Sequence, residues 1–224
     1  MNYFMVKRLI LKDWYFQRGP IAAYTAGGLL ALAFIALGSE ASFYAGTVLL
    51  LTVMITMGIH LAMVTVVQER SDHTLPFIMT LPISPKEYTT AKILANLSLY
   101  LIPWATLTIA ALLLFSSEGA RDGALIPFTS IVLTQLLASY CLLLTVAIVS
   151  ESQGWTITAM AIANLFLQGF LYWLNHQPNI ARGMKGHGAV WDQMSVTLIV
   201  VELLVSVLLL SLAFVLQSRK RDFV

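Results

Sequence analysis

Charge is the scarcest property of this 224-residue chain: Asp, Glu, Lys and Arg make up 11% of it, against 58% hydrophobic residues. A soluble domain carries about 25% charged residues, and a chain of this size needs a polar shell that so few charges cannot supply. Cysteine is nearly absent too. Cys141 stands alone inside an apolar run, which excludes a disulfide framework and a soft-metal cluster. The formal net charge of +2 is too small to point to nucleic acid. No Gly-x-x-x-x-Gly-Lys-Ser/Thr phosphate loop occurs, and neither does Gly-x-Ser-Gly or His-Glu-x-x-His. The chain is therefore expected to bind no nucleotide or metal itself and to carry no catalytic residue.

What the chain does have is apolar length. Six runs stand out: Ile21 to Leu37, Phe43 to Val67, Leu94 to Phe115, Ile126 to Val149, Trp155 to Leu174 and Val196 to Leu216. Crossing the hydrocarbon takes about 20 residues of helix, and lipid offers backbone groups no partners, so each run must satisfy them internally. Alternating segments of roughly 10 residues, the mark of a membrane β-barrel, are missing. The expected fold is all-α, with six transmembrane helices at about 20–38, 44–67, 93–115, 126–149, 155–174 and 195–216. The start of the second run, Ser42 to Gly46, is less strictly apolar and has room for a short separate helix. The first run lacks a cleavage sequence and reads as a span that stays.

Six spans place both termini on one side. Ten of the thirteen Lys and Arg residues fall there: Lys7, Arg8, Lys12, Arg18, Arg70, Lys86, Lys92, Arg219, Lys220 and Arg221. Basic short loops stay in the cytoplasm, so both termini are expected there; the expected location is a bacterial inner (cytoplasmic) membrane. Residues 3–18 group Lys7, Arg8, Lys12 and Arg18 in one sector of a helical wheel, with aromatic and aliphatic residues elsewhere. That predicts a helix lying in the interface, broken at Gly19-Pro20, with Pro20 opening the first span.

The 68–92 loop between spans two and three has internal logic. Ser84-Pro85-Lys86-Glu87 combines a capping serine, proline at the first helical position and glutamate at the third, the signature of a helix start. Upstream, Leu75, Phe77, Ile78, Met79 and Leu81 form an apolar piece between Pro76 and Pro82, too short to span. It is either a connector lying on the bilayer or a knob that docks into a partner.

On these residues the chain resembles the membrane subunit of type 2 ABC transporters. The match runs through Glu69, Arg70, Thr74, Leu75, Pro82, Ile83, Ser84, Glu87 and Lys92; His73, Pro76 and Leu81 depart from the usual pattern. The resemblance implies a permease for export, working as two permease subunits, identical or homologous, with two copies of an ATP-binding cassette ATPase that hold ATP and Mg. It also implies coupling to that ATPase through Glu69, Arg70, Thr74, Leu75, Phe77 and Ile78, with Glu151 as a secondary contact. An intramembrane enzyme and a non-transporting membrane assembly protein are the alternatives.

Within the spans, Glu202 is the only carboxylate placed well inside one, and a charge there normally faces protein or a cavity. Glu202 and His60 are the candidates for a translocation path, although helix–helix hydrogen bonding also accounts for His60, Asn96 and Asn164. The 175–194 loop, expected outside, contains His176 and His187 among glycines, without a metal-ligand spacing.

Overall fold

The computed structural model describes residues 3–71, 84–116, 125–178, 180 and 191–219. Helix α1 spans Tyr3–Ala36; α2 spans Glu40–Ala62 and continues through a π-helical segment, Met63–Val67, into a last turn, Gln68–Ser71. Then come α3 (Pro85–Ser116), α4 (Ile126–Ser150), α5 (Gln153–Asn175) and α6 (Gln193–Arg219). No strand occurs among the described residues. All six helices are long and apolar enough to cross a membrane, so the chain is a multi-pass membrane protein.

Helix α4 is the axis of the bundle. Its apolar stretch is 83% buried, against 11% for α5, because α4 touches α2, α3, α5 and α6 while α5 sits at the edge. The centre of the core is polar enough to be specific: the Tyr100 and Tyr140 rings stack at 3.9 Å, and the Tyr140 hydroxyl donates to the Asn96 carbonyl oxygen at 3.0 Å. Trp104 donates its indole N–H to the carbonyl of Leu133 at 2.8 Å. Large apolar side chains such as Leu165, Tyr172, Leu204 and Leu208 are exposed on α5 and α6. In water this would be a broad apolar patch of the kind that marks an interaction surface; in a bilayer it is the lipid-facing skin.

Helices α1 and α3 run parallel, with Asp13 against Lys92, Trp14 against Ser98 and Gly28 against Leu107 in the same order along both. Glycine permits the close approach of α1 to its neighbours. A Cβ at Gly46 would lie 2.6 Å from the carbonyl oxygen of Ala31, and one at Gly28 would lie 2.5 Å from a Leu107 methyl. At 34 and 32 residues, α1 and α3 measure about 50 Å each at 1.5 Å per residue, well over the ~30 Å of hydrocarbon. Their first turns pack together where Val6 and Leu9 meet Tyr88 and Ala91.

Two local expectations need correction. The chain does not break at Gly19-Pro20: α1 runs straight through, with Pro20 inside it. Proline there removes one backbone bond, but burial of Asp13 and Gln17 before it and Ile21 after it holds both halves to the same neighbours. Nor does a separate helix precede span two. Ser39 caps α2 by accepting from the Ser42 N–H at 3.1 Å, and the helix continues from Glu40. The start of α3 forms as expected: the Ser84 N–H donates to Glu87 Oε2 at 2.8 Å and the Glu87 N–H to Ser84 Oγ at 3.3 Å, a reciprocal cap.

Candidate functional site

Four charged side chains meet where α1, the end of α2 and α3 converge. Lys92 Nζ lies 2.9 Å from Asp13 Oδ2 and 2.7 Å from Glu69 Oε2. Lys12 Nζ lies 2.5 Å from Glu69 Oε1 and 3.4 Å from Asp13 Oδ1. The Tyr88 hydroxyl donates to Glu69 Oε2 at 3.1 Å. Among the described residues, two cations and two anions thus close a ring. Lys92 and Asp13 are only 3% and 5% exposed, while Lys12 forms the wetter rim at 36%. Burying one such ion alone costs several kcal/mol; mutual pairing is what makes the arrangement tenable.

The helices aim these groups in identifiable ways. In α2 the π segment accommodates an extra residue, which turns the rest of the helix by about 100° around its axis relative to an unbroken α-helix. Glu69 lies just beyond that turn. The segment is held from α3, since the Thr65 hydroxyl donates to Asn96 Oδ1 at 2.6 Å and Asn96 Nδ2 donates to the Lys92 carbonyl at 3.0 Å. On α1, Asp13 and Gln17 share the buried face at helical spacing, and Gln17 Oε1 lies 3.0 Å from His60 Nε2. Burial alone would raise the Glu69 carboxyl, but the ammonium groups, Lys92 foremost and then Lys12, outweigh it and hold it below the ordinary carboxylate range.

Among the residues expected to matter, Glu69 sits in this ring. The side chain of Arg70, and Thr74, Leu75, Phe77 and Ile78, lie outside the described residues. Glu151 caps the end of α4 in a left-handed conformation (φ 56°), and its Oε1 accepts from Gln217 Nε2 of α6 at 2.5 Å. His60 joins α2 to α1 through Gln17 and lies against the Tyr24 ring, centroids 5.7 Å apart. Asn96 bonds across helices, but Asn164 turns back to the Met160 carbonyl of its own helix. Glu202, 6% exposed, lines a cavity between α4, α5 and α6 that His60 does not reach, so the two candidates for a path stand apart. His187 lies outside the described residues; His176 bonds the Tyr172 carbonyl oxygen at 2.8 Å. Among the described residues, no group of three or more His, Cys, Asp or Glu side chains is placed to share a metal.

Sequence reasoning misses two members of the ring: it places Lys12 in the basic sector of residues 3–18 and gives Asp13 no role. A signal was present: Asp13 is the only carboxylate before Glu40, with Gln17 one turn later. No protein-family model matches this chain, and neither a curated protein nor a solved structure is detectably similar to it. What identifies it is architecture, an all-α, six-helix membrane fold with a closed charge cluster at one end.

Proposed function

We propose that the chain is the permease subunit of an ATP-driven transporter, of the type 2 ABC class it resembles. The observation that carries this reading is the Lys12–Asp13–Glu69–Lys92 ring at the root of the 72–83 segment. A plain connector between two spans has no need of buried ion pairs to three helices. A segment that receives a partner's movement does, because charge pairs centred on the buried Lys92 and Asp13 resist shear and pass displacement to α1 and α3 together. In this reading two copies of a phosphate-loop ATPase, holding ATP and Mg, dock on Arg70, Thr74, Leu75, Phe77 and Ile78, with Glu151 flanking. Two permease subunits, identical or homologous, form the path between them. The chain itself performs no ATP hydrolysis.

The Lys and Arg asymmetry supports cytoplasmic termini, and the exposed Tyr3, Phe4, Tyr15 and Phe16 support an interfacial setting for the start of α1; the membrane in this reading is a bacterial inner membrane. Export is the direction that the resemblance suggests. The test is recovery of the chain from native membranes in mild detergent, with mass spectrometry of what accompanies it. A phosphate-loop ATPase is expected with the native chain and is expected to be depleted with Arg70→Ala or Phe77→Asp. Repeated recovery of the intact chain without an ATPase would remove the transport reading and favour a self-contained assembly protein.

A further inference from the structure

We propose that the cavity walled by α4, α5 and α6 is a binding site for a lipophilic cation, with Glu202 as its counter-ion. The cavity measures about 470 Å³, within the range of small-molecule sites. Its lining is apolar except at one place, where Glu202 of α6 faces Gln135 and Ser139 of α4. Both carboxyl oxygens of Glu202 are buried, and neither has a hydrogen-bond partner among the described residues. The nearby hydroxyl of Ser206 is committed elsewhere, donating to the Glu202 backbone carbonyl at 2.8 Å. Gln135 Nε2 turns to Ser139 Oγ at 3.4 Å.

The charge that Glu202 lacks is not available from the walls. Helices α4 and α5 contain no Lys or Arg, and α6 has only Arg219, at its far end. A carboxylate in such surroundings needs a cation from outside or must stay protonated. Glu202 is the tenth residue of α6, about 14 Å along it at 1.5 Å per residue, so the cation must reach the membrane interior. That requires a lipophilic body, and the site offers a match for one: the Phe166 and Phe170 rings of α5 line the cavity, their centroids 6.1 Å apart. Aromatic faces attract desolvated organic cations, while a hydrated metal ion would find almost no oxygen ligands here. The cavity is open on one side and bounded by the two least buried helices, α5 and α6, which gives access from the lipid.

As a transported substrate's site, the assignment rests on the proposed transport function; as a cation site, it stands without it. The experiment uses the full-length chain, purified in detergent, with radiolabelled tetraphenylphosphonium as probe and, in separate samples, radiolabelled tetraphenylborate, of the same shape and opposite charge, as control ligand. Saturable binding of the cation is expected, with at least a tenfold loss of affinity in Glu202→Gln and no saturable binding of tetraphenylborate. Ala163→Phe, which fills the cavity from α5 and leaves the carboxylate in place, is expected to weaken binding as well, and Glu202→Asp to retain part of it. Variants are compared only where they keep the wild-type elution volume and thermal transition. No saturable binding of the cation to the wild type, equal binding by Glu202→Gln, or equal binding of the anion would overturn the assignment. ATPase recovery separates the two readings: an ATPase without cation binding overturns the site alone, and binding without an ATPase upholds the site while overturning transport.

Discussion

The protein holds carboxylates inside the bundle in two different ways. At one end of the bundle, Asp13 and Glu69 are each within 3 Å of a lysine ammonium, and Tyr88 supplies a further donor. In the wall of the α4–α5–α6 cavity, Glu202 has no partner among the described residues. The first arrangement satisfies the general condition for burying charge, and the second violates it. Self-satisfied charge holds helices together; unsatisfied charge costs stability and is retained where something else binds. The same chemical group thus serves assembly in one region and recognition in the other.

The contrast breaks most visibly at Lys92. Replacing it with Met strips Asp13 and Glu69 of their shared ammonium, and loss of one partner of a buried pair costs about 3–5 kcal/mol. Thermal unfolding in detergent is expected to show that loss, with Lys12 unable to make it good from the rim. Next in size is Gly46→Ala, which sets a Cβ 2.6 Å from the Ala31 carbonyl oxygen and is expected to cost about 1–3 kcal/mol, as overpacking does. It serves as a reference for a defect without charge. Glu202→Leu carries the opposite sign: removing an unsatisfied buried polar group relieves about 1–3 kcal/mol, so its unfolding temperature is expected to rise. A fall comparable to that of Lys92→Met would mean that Glu202 has a partner.

The smallest effect is one of pH. The carboxyl of Glu69 is lowered on folding from an ordinary value of 4.5. Its stabilisation is therefore complete above that value and disappears as pH falls through the lowered, folded one. The stability difference between wild type and Glu69→Gln is expected to be flat near neutrality and to shrink only below about pH 4.5. A difference that changes between pH 6 and 8 would point to another titrating group.

The sequence carried the six spans because each is a long apolar run, and it carried the start of α3 because Ser84 and Glu87 satisfy each other locally. Continuity of α1 through Pro20 was not legible: proline's cost is local, whereas the contacts that override it come from α2 and α3. For the same reason Glu69 was legible as a candidate but its ring was not. Asp13 and Lys92 are 79 residues apart, and nothing in either neighbourhood names the other. The π segment at Met63–Val67, with no proline or glycine to mark it, was likewise invisible. Glu202 stood out as a lone carboxylate within a span, yet its cavity depends on how α4, α5 and α6 diverge, which residue order does not show.

The most direct test of the charge-pairing account is a double-mutant cycle on Asp13→Asn and Lys92→Met, read by reversible unfolding in detergent. Contacting charged residues couple by about 0.5–3 kcal/mol, and a buried pair at 2.9 Å is expected at the upper end, with the double variant more stable than Lys92→Met alone. Additive effects, with no recovery in the double variant, would contradict the claim that a closed charge cluster joins α1, α2 and α3.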